Sequence, residues 1–416
     1  MITQWRNFRM PRTTSCVASL YFLVASAILL NLACSPQFSP RAADMLGDDS
    51  RLLGDHPQNP LEILEIDPDQ ASSELEYDLI ELAKEKVDPS ISRQDSTPSL
   101  VLGVVTRDFS HVYSLGASPQ GVRPNMRSLY PISSVSKMLT GLIAATAIKK
   151  GLFSGETLVR SVIRPELASL VDSRLTIDHL LSHHGGFEAM PKNLNSGNPL
   201  SPAFGYSMED LTACLEYLCP RIGLPGEKYQ YSNLGLGLLA VALGDGLDTT
   251  DYSELLALWL TDPVGMKDTI LSRHILTIDP DRYRIIAGIG EGGREVDPAQ
   301  MGVLSGAGEV VSTAFDMVLL LQSLVFMEPG SSADLATREI ASINSTHAMA
   351  AGFDISKDRP YLLYYKGGSQ PGYSSFIVWS SELGAGIVLL SNRGSFSSHT
   401  KDLSFRLIDR IASAQL

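Results

Sequence analysis

The chain has 416 residues, 44% hydrophobic and 19% charged, with 46 acidic against 33 basic side chains and a formal net charge of −13. That length and apolar content support a large buried core, in one big domain or two smaller ones. The acidic balance argues against a nucleic-acid partner, and no Cys-x-x-Cys or His-Glu-x-x-His spacing marks a metal site.

The N-terminal segment reads as a targeting signal. Arg6, Arg9 and Arg12 precede an apolar run from Val17 to Leu30, and no acidic residue stands before Asp44. The run is short for a bilayer span and ends on the small residues Ala33-Cys34-Ser35. Ala33-Cys34 resembles a bacterial lipoprotein cleavage site, with Asn31 where a leucine is usual. Ordinary secretion, a retained anchor and an organelle presequence are the alternatives. The expectation is a signal over residues 1–34 with Cys34 as the lipid-bearing candidate, and membrane association through the N-terminus. The protein is then placed in the cell envelope, lipid-anchored or periplasmic, or outside the cell. Residues 35–71 carry Pro, Asp and Ser with little periodicity and read as a linker, leaving 72–416 as the folded domain.

A helix is expected over residues 73–86, then strands at 100–106 and 111–115 joined by a short turn. The extended, Pro-bearing stretch Leu129-Tyr130-Pro131-Ile132 leads into a helix in which Val135, Met138, Leu139, Leu142 and Ile143 keep helical spacing. Ser134-Val135-Ser136-Lys137 opens it. Three residues apart on one helix face, the Lys137 amine can reach the Ser134 hydroxyl proton, and the helix N-terminus favours a developing negative charge. A second Ser-x-x-Lys at Ser398 to Lys401 and a second Lys-x-Gly at Lys149 to Gly151 show how readily such patterns arise alone.

From about 155 to 302 the pattern is helical or irregular. Cys214 and Cys219 fall there, on different faces of a continuous helix; Pro220 ends it, so a disulfide across the last turn and two buried thiols both remain open. Gly288-Ile289-Gly290-Glu291-Gly292-Gly293 matches Gly-x-Gly-x-x-Gly but runs into a Pro-containing stretch, and reads as a loop. His183 and His184 read as loop braces and Trp259 as core. Strands return at 361–366, 374–380 and 386–390 before a closing helix around 403–412. The fold class is therefore α/β of the α+β type. An antiparallel sheet formed by both chain ends is flanked by helices, with a mostly helical lobe inserted at about 155–302 and the site between the lobes.

Tyr231-Ser232-Asn233 and Lys366-Gly367-Gly368 follow Ser134 to Lys137 in order along the chain. With Leu180-Leu181-Ser182-His183-His184-Gly185-Gly186-Phe187, Pro225-Gly226-Glu227, Asp262 to Thr269, Gly306 to Thr313 and Gly367 to Tyr373, they resemble the class C β-lactamase and penicillin-binding-protein-like family. That family includes D-alanyl-D-alanine carboxypeptidases and related esterases. The resemblance implies a β-lactamase/transpeptidase-like fold and a serine hydrolase that forms an acyl-enzyme on a β-lactam, a D-alanyl peptide or a small ester. Ser134 would be the nucleophile, Lys137 and Tyr231 would share the general-base work, and Asn233 would orient the substrate amide and the lysine. Lys366 and Gly368 would bind substrate, and the backbone N–H groups of Ser134 and Ser369 would form the oxyanion hole. No cofactor or metal is implied; the partner is a small-molecule or peptide substrate. No Glu-x-x-Leu-Asn supplies the deacylating glutamate of class A enzymes. Lys-Gly-Gly stands where Lys-Thr-Gly or His-x-Gly is usual, keeping a cation for a substrate carboxylate while removing a hydroxyl that could bond it. Ser133 replaces the common glycine before the nucleophile, and no Leu-Asp-Asp-Pro run follows the first helix. The alternative is a catalytically silent, envelope-anchored binding protein with the same fold.

Overall fold

The computed structural model describes residues 61–87, 98–118, 120–249, 251–282 and 284–415. The signal segment, Cys16 and Cys34, and the linker up to residue 60 lie outside the described residues.

A nine-stranded sheet forms the frame. Its order is Ile63–Ile66, Ser110–Leu115, Leu100–Val105, Ala385–Ser391, Tyr373–Ser380, Leu363–Gln370, Asp354–Ser356, His347–Met349 and Ala341–Ser342. Every neighbouring pair is antiparallel except the first, where Ile63 to Ile66 run parallel to Ser110 to Tyr113. Strands from both chain ends meet at its centre, where Leu100–Val105 pairs with Ala385–Ser391. That central pair is buried along its whole length because helices cover both faces. Alternate residues explain this: Val101, Val105, Val388 and Leu390 join the core under the helices Ser136–Lys149 and Ala314–Val325. Leu100, Leu102, Val104, Ile387 and Leu389 face the helices Glu74–Val87 and Ser397–Ala414 instead.

The strand Ile63–Ile66 corrects the expected linker, which ran to residue 71. Glu62 and Glu65 interrupt the apolar residues and mask the strand in the sequence, but pairing with a formed neighbour satisfies its backbone, and Glu65 accepts bonds from Ser114 Oγ and the Met126 amide. A second, three-stranded sheet of Leu129–Pro131, Val310–Thr313 and Ile270–Leu271 carries the chain into Ser134. The segment 155–302, expected to be mostly helical, is instead a series of short helices joined by longer irregular stretches, with Asn233–Gly246 its longest helix among the described residues. Gly288–Ile289 and Glu295–Val296 pair as a small hairpin, which makes the Gly-x-Gly-x-x-Gly stretch a turn. Trp259 is fully buried, as expected.

Cys214 and Cys219 are joined, with their Cα atoms 4.7 Å apart. Residues Cys214–Leu218 widen into a π-turn and Cys219 leaves helical geometry, so the two sulfurs meet where a regular helix would hold them apart.

Candidate active site

Ser134 sits in a single 3₁₀ turn, Ser133–Val135, that runs directly into the helix Ser136–Lys149. Ser133 adopts φ +49°, the left-handed region that glycine occupies at little cost. A serine where glycine is common therefore carries backbone strain beside Ser134. Ser136 Oγ donates to the Ser133 carbonyl and accepts from the Val310 amide, pinning the turn to the second sheet.

Lys137 is fully buried. Its Nζ lies 3.1 Å from Ser134 Oγ and donates to the Ala307 carbonyl at 2.5 Å. Burial pulls the ammonium below the usual lysine range, the charge of Lys366 adds to that pull, and Tyr231 opposes it. A deprotonated Lys137 can keep the Ala307 bond while its lone pair takes the Ser134 proton. Tyr231 OH is 2.7 Å from Ser134 Oγ, and its ring lies 4.9 Å from Lys137 Nζ and 5.4 Å from Lys366 Nζ. Burial raises the Tyr231 phenol, but the two ammonium groups outweigh it and hold the phenol below its ordinary value. Ser134, Lys137 and Tyr231 are thus brought together from segments almost a hundred residues apart, as the motifs require.

His183 braces this arrangement. Its carbonyl accepts from the Gln230 amide and its Nδ1 from the Ser232 amide, bracketing Tyr231, while its ring packs 4.6 Å from the tyrosine ring. An accepting Nδ1 requires the neutral ring, and burial holds His183 well below the usual histidine range. Asn233 opens the helix Asn233–Gly246; its Nδ2 donates to Met190 Sδ at 3.0 Å. Among the described residues Asn233 makes no hydrogen bond to Lys137, so its expected role in orienting the lysine has no contact behind it.

The strand Leu363–Gln370 passes beside the turn. A Cβ placed on Gly368 would meet the Ile132 carbonyl at 2.3 Å and the Ser134 amide nitrogen at 3.0 Å, whereas one on Gly367 would meet the Phe376 ring at 3.1 Å. Position 368 thus faces Ser134 and position 367 turns away from it. Ser369, next along the strand, donates through Oγ to the Gly394 carbonyl. Gly368→Ala should therefore push the strand off the turn and disturb the Ser134 amide. Its kcat should fall about 10²-fold, the scale of a lost oxyanion donor, and unchanged kcat would remove that amide from the mechanism.

Lys366 is buried and ion-paired with Asp354 at 3.3 Å; His347 Nε2 contacts the other Asp354 oxygen at 2.8 Å. Neither Asp354 nor His347 was expected from the sequence, since each lies in a three-residue strand with no motif around it. Lys401 of the second Ser-x-x-Lys is exposed, over the Tyr365 and Phe405 rings. No group of acidic, His or Cys residues among those described could hold a metal ion.

The beta-lactamase family model matches residues 79–408. The chain belongs to the beta-lactamase family. A human protein, "Putative beta-lactamase-like 1", is 26% identical over 333 residues, covering 74% of this chain; the chain spans 64% of that relative's length. The class C beta-lactamase from Rhodobacter sphaeroides superposes with a TM-score of 0.65 at 19% identity, over 80% of this chain and 99% of that one. A beta-lactamase/D-alanine carboxypeptidase from Pseudomonas syringae gives 0.67 at 17% identity, over 81% and 99%. At these identities the two structures establish the fold, which is β-lactamase/transpeptidase-like, as the sequence motifs led one to expect.

Proposed function

We propose that this chain is a serine hydrolase that forms an acyl-enzyme through Ser134. The observation that carries the reading is the convergence on Ser134 Oγ of Tyr231 OH at 2.7 Å and Lys137 Nζ at 3.1 Å. Ser134 attacks the carbonyl carbon of an ester or amide, and its proton passes to the Tyr231–Lys137 pair. The same pair returns the proton to the leaving group and then activates water for deacylation. The amides of Ser134 and Ser369 hold the oxyanion, with Lys366, Gly368 and Asn233 lining the substrate side. Substrates are a β-lactam, a D-alanyl peptide or a small ester. Mass spectrometry after a fluorophosphonate tests the reading: one adduct, on the peptide bearing Ser134, is expected, and an unlabelled intact protein would favour a silent binding module.

The disulfide between Cys214 and Cys219 supports an oxidising compartment, in line with a signal at the N-terminus. We place the protein at the cell envelope with Cys34 as the lipid-bearing residue. Cys34→Ser should then move it from membranes into the soluble fraction, and a mature N-terminus away from Cys34 would replace lipidation with ordinary secretion or a retained anchor.

A further inference from the structure

Lys366 enters the site already paired. Its side chain is 5% exposed, its Nζ lies 3.3 Å from Asp354 Oδ2, and Asp354 Oδ1 is held by His347 Nε2. Both oxygens of the carboxylate are therefore committed. The pairing comes from the sheet: Asp354 stands opposite Tyr365 in the neighbouring strand, one residue from Lys366, and His347 lies one strand further out. The glycine of the Lys-Gly-Gly motif does not bear on this, because position 367 faces Phe376.

We propose that Asp354 sets the substrate charge this site accepts, by occupying Lys366 and favouring neutral ester or amide substrates over those with a carboxylate beside the scissile bond. A carboxylate that approaches Lys366 meets the fixed negative charge of Asp354, 3.3 Å from the same ammonium. Like charges sharing one cation repel, and the incoming group must give up its water for an ammonium whose charge Asp354 already balances. The pair is robust, since Lys366 holds Asp354 down at about 2 against its burial. Asp354 in turn keeps Lys366 charged despite burial, and that charge acts on Tyr231 and Lys137. Asp354 is thus a positioning residue that acts through Lys366. The inference rests on the hydrolase reading and narrows its substrate class.

A matched pair of substrates tests it: mono-p-nitrophenyl adipate, with a free carboxylate, and its methyl ester. The wild-type protein should prefer the neutral ester in kcat/KM. In Asp354→Asn the carboxylate substrate can supply the missing counterion, so the preference should narrow by about ten-fold or more, the low end for a charge-assisted hydrogen bond, mainly through KM. Asp354→Asn combined with Lys366→Met should lose that narrowing. A wild-type preference for the free acid overturns the inference without any variant, and so does an unchanged preference in Asp354→Asn. Fluorophosphonate labelling separates the two readings. Labelled protein with the reversed preference defeats the inference alone, while protein that neither labels nor turns over defeats the hydrolase reading and this inference with it.

Discussion

Ser134→Ala is expected to give a folded protein that takes no covalent adduct and loses ester turnover by on the order of 10⁴-fold or more, the scale seen when a catalytic nucleophile is removed. The fold should survive because, among the described residues, the hydroxyl bonds only Tyr231 and Lys137 and bears no part of the core. Thermal unfolding within a few degrees of wild type would confirm that the loss is chemical. The chain has many serines, but the Ser-x-x-Lys at Ser398 sits on the exposed N-terminal turn of the last helix with its lysine turned onto aromatic rings. Of the two, only Ser134 has a buried amine beside it. An adduct on Ser398, or substantial turnover by Ser134→Ala, would overturn the assignment.

What the sequence showed and what it hid divide along physical lines. The central strands were legible because Leu100 to Val105 and Ala385 to Ser391 are short apolar runs bounded by turn residues, the mark of strands buried on both faces. The convergence of Ser134, Lys137 and Tyr231 was legible because each motif fixes local spacing, Ser-x-x-Lys on one turn and Tyr-x-Asn at a helix start. Ile63–Ile66 was not, since a four-residue edge strand draws its stability from a partner nearly fifty residues away. The ion pair of Lys366 with Asp354 was hidden for the same reason: it depends on strand register, and twelve residues separate the two. The strain at Ser133 was hidden because a residue type does not report its φ. The disulfide turned on a single local event, the widening of Cys214–Leu218 into a π-turn, which helical periodicity cannot anticipate.

Tyr231→Phe is the sharper test of how the proton moves. Phenylalanine keeps the ring that packs on His183 and lies near both lysines, so only the oxygen is lost. If Tyr231 and Lys137 share the base role, kcat should fall by about 10²-fold, the scale of a lost general base. The pH dependence adds a sign. A phenolate beside Lys137 favours its ammonium form and so raises the lysine's pKa against burial; removing the phenol deletes that support, and the Lys137 pKa moves down. The activity that remains needs the free amine, so its rise with pH should begin at lower pH than in the wild type. The two groups titrate as a pair in the native protein, and the variant leaves one group to titrate alone. A tyrosine serving only as packing would leave both the rate and the position of that limb unchanged. A large loss of rate with the limb abolished rather than shifted would make Tyr231 the sole base and Lys137 a fixed donor to Ser134 and Ala307.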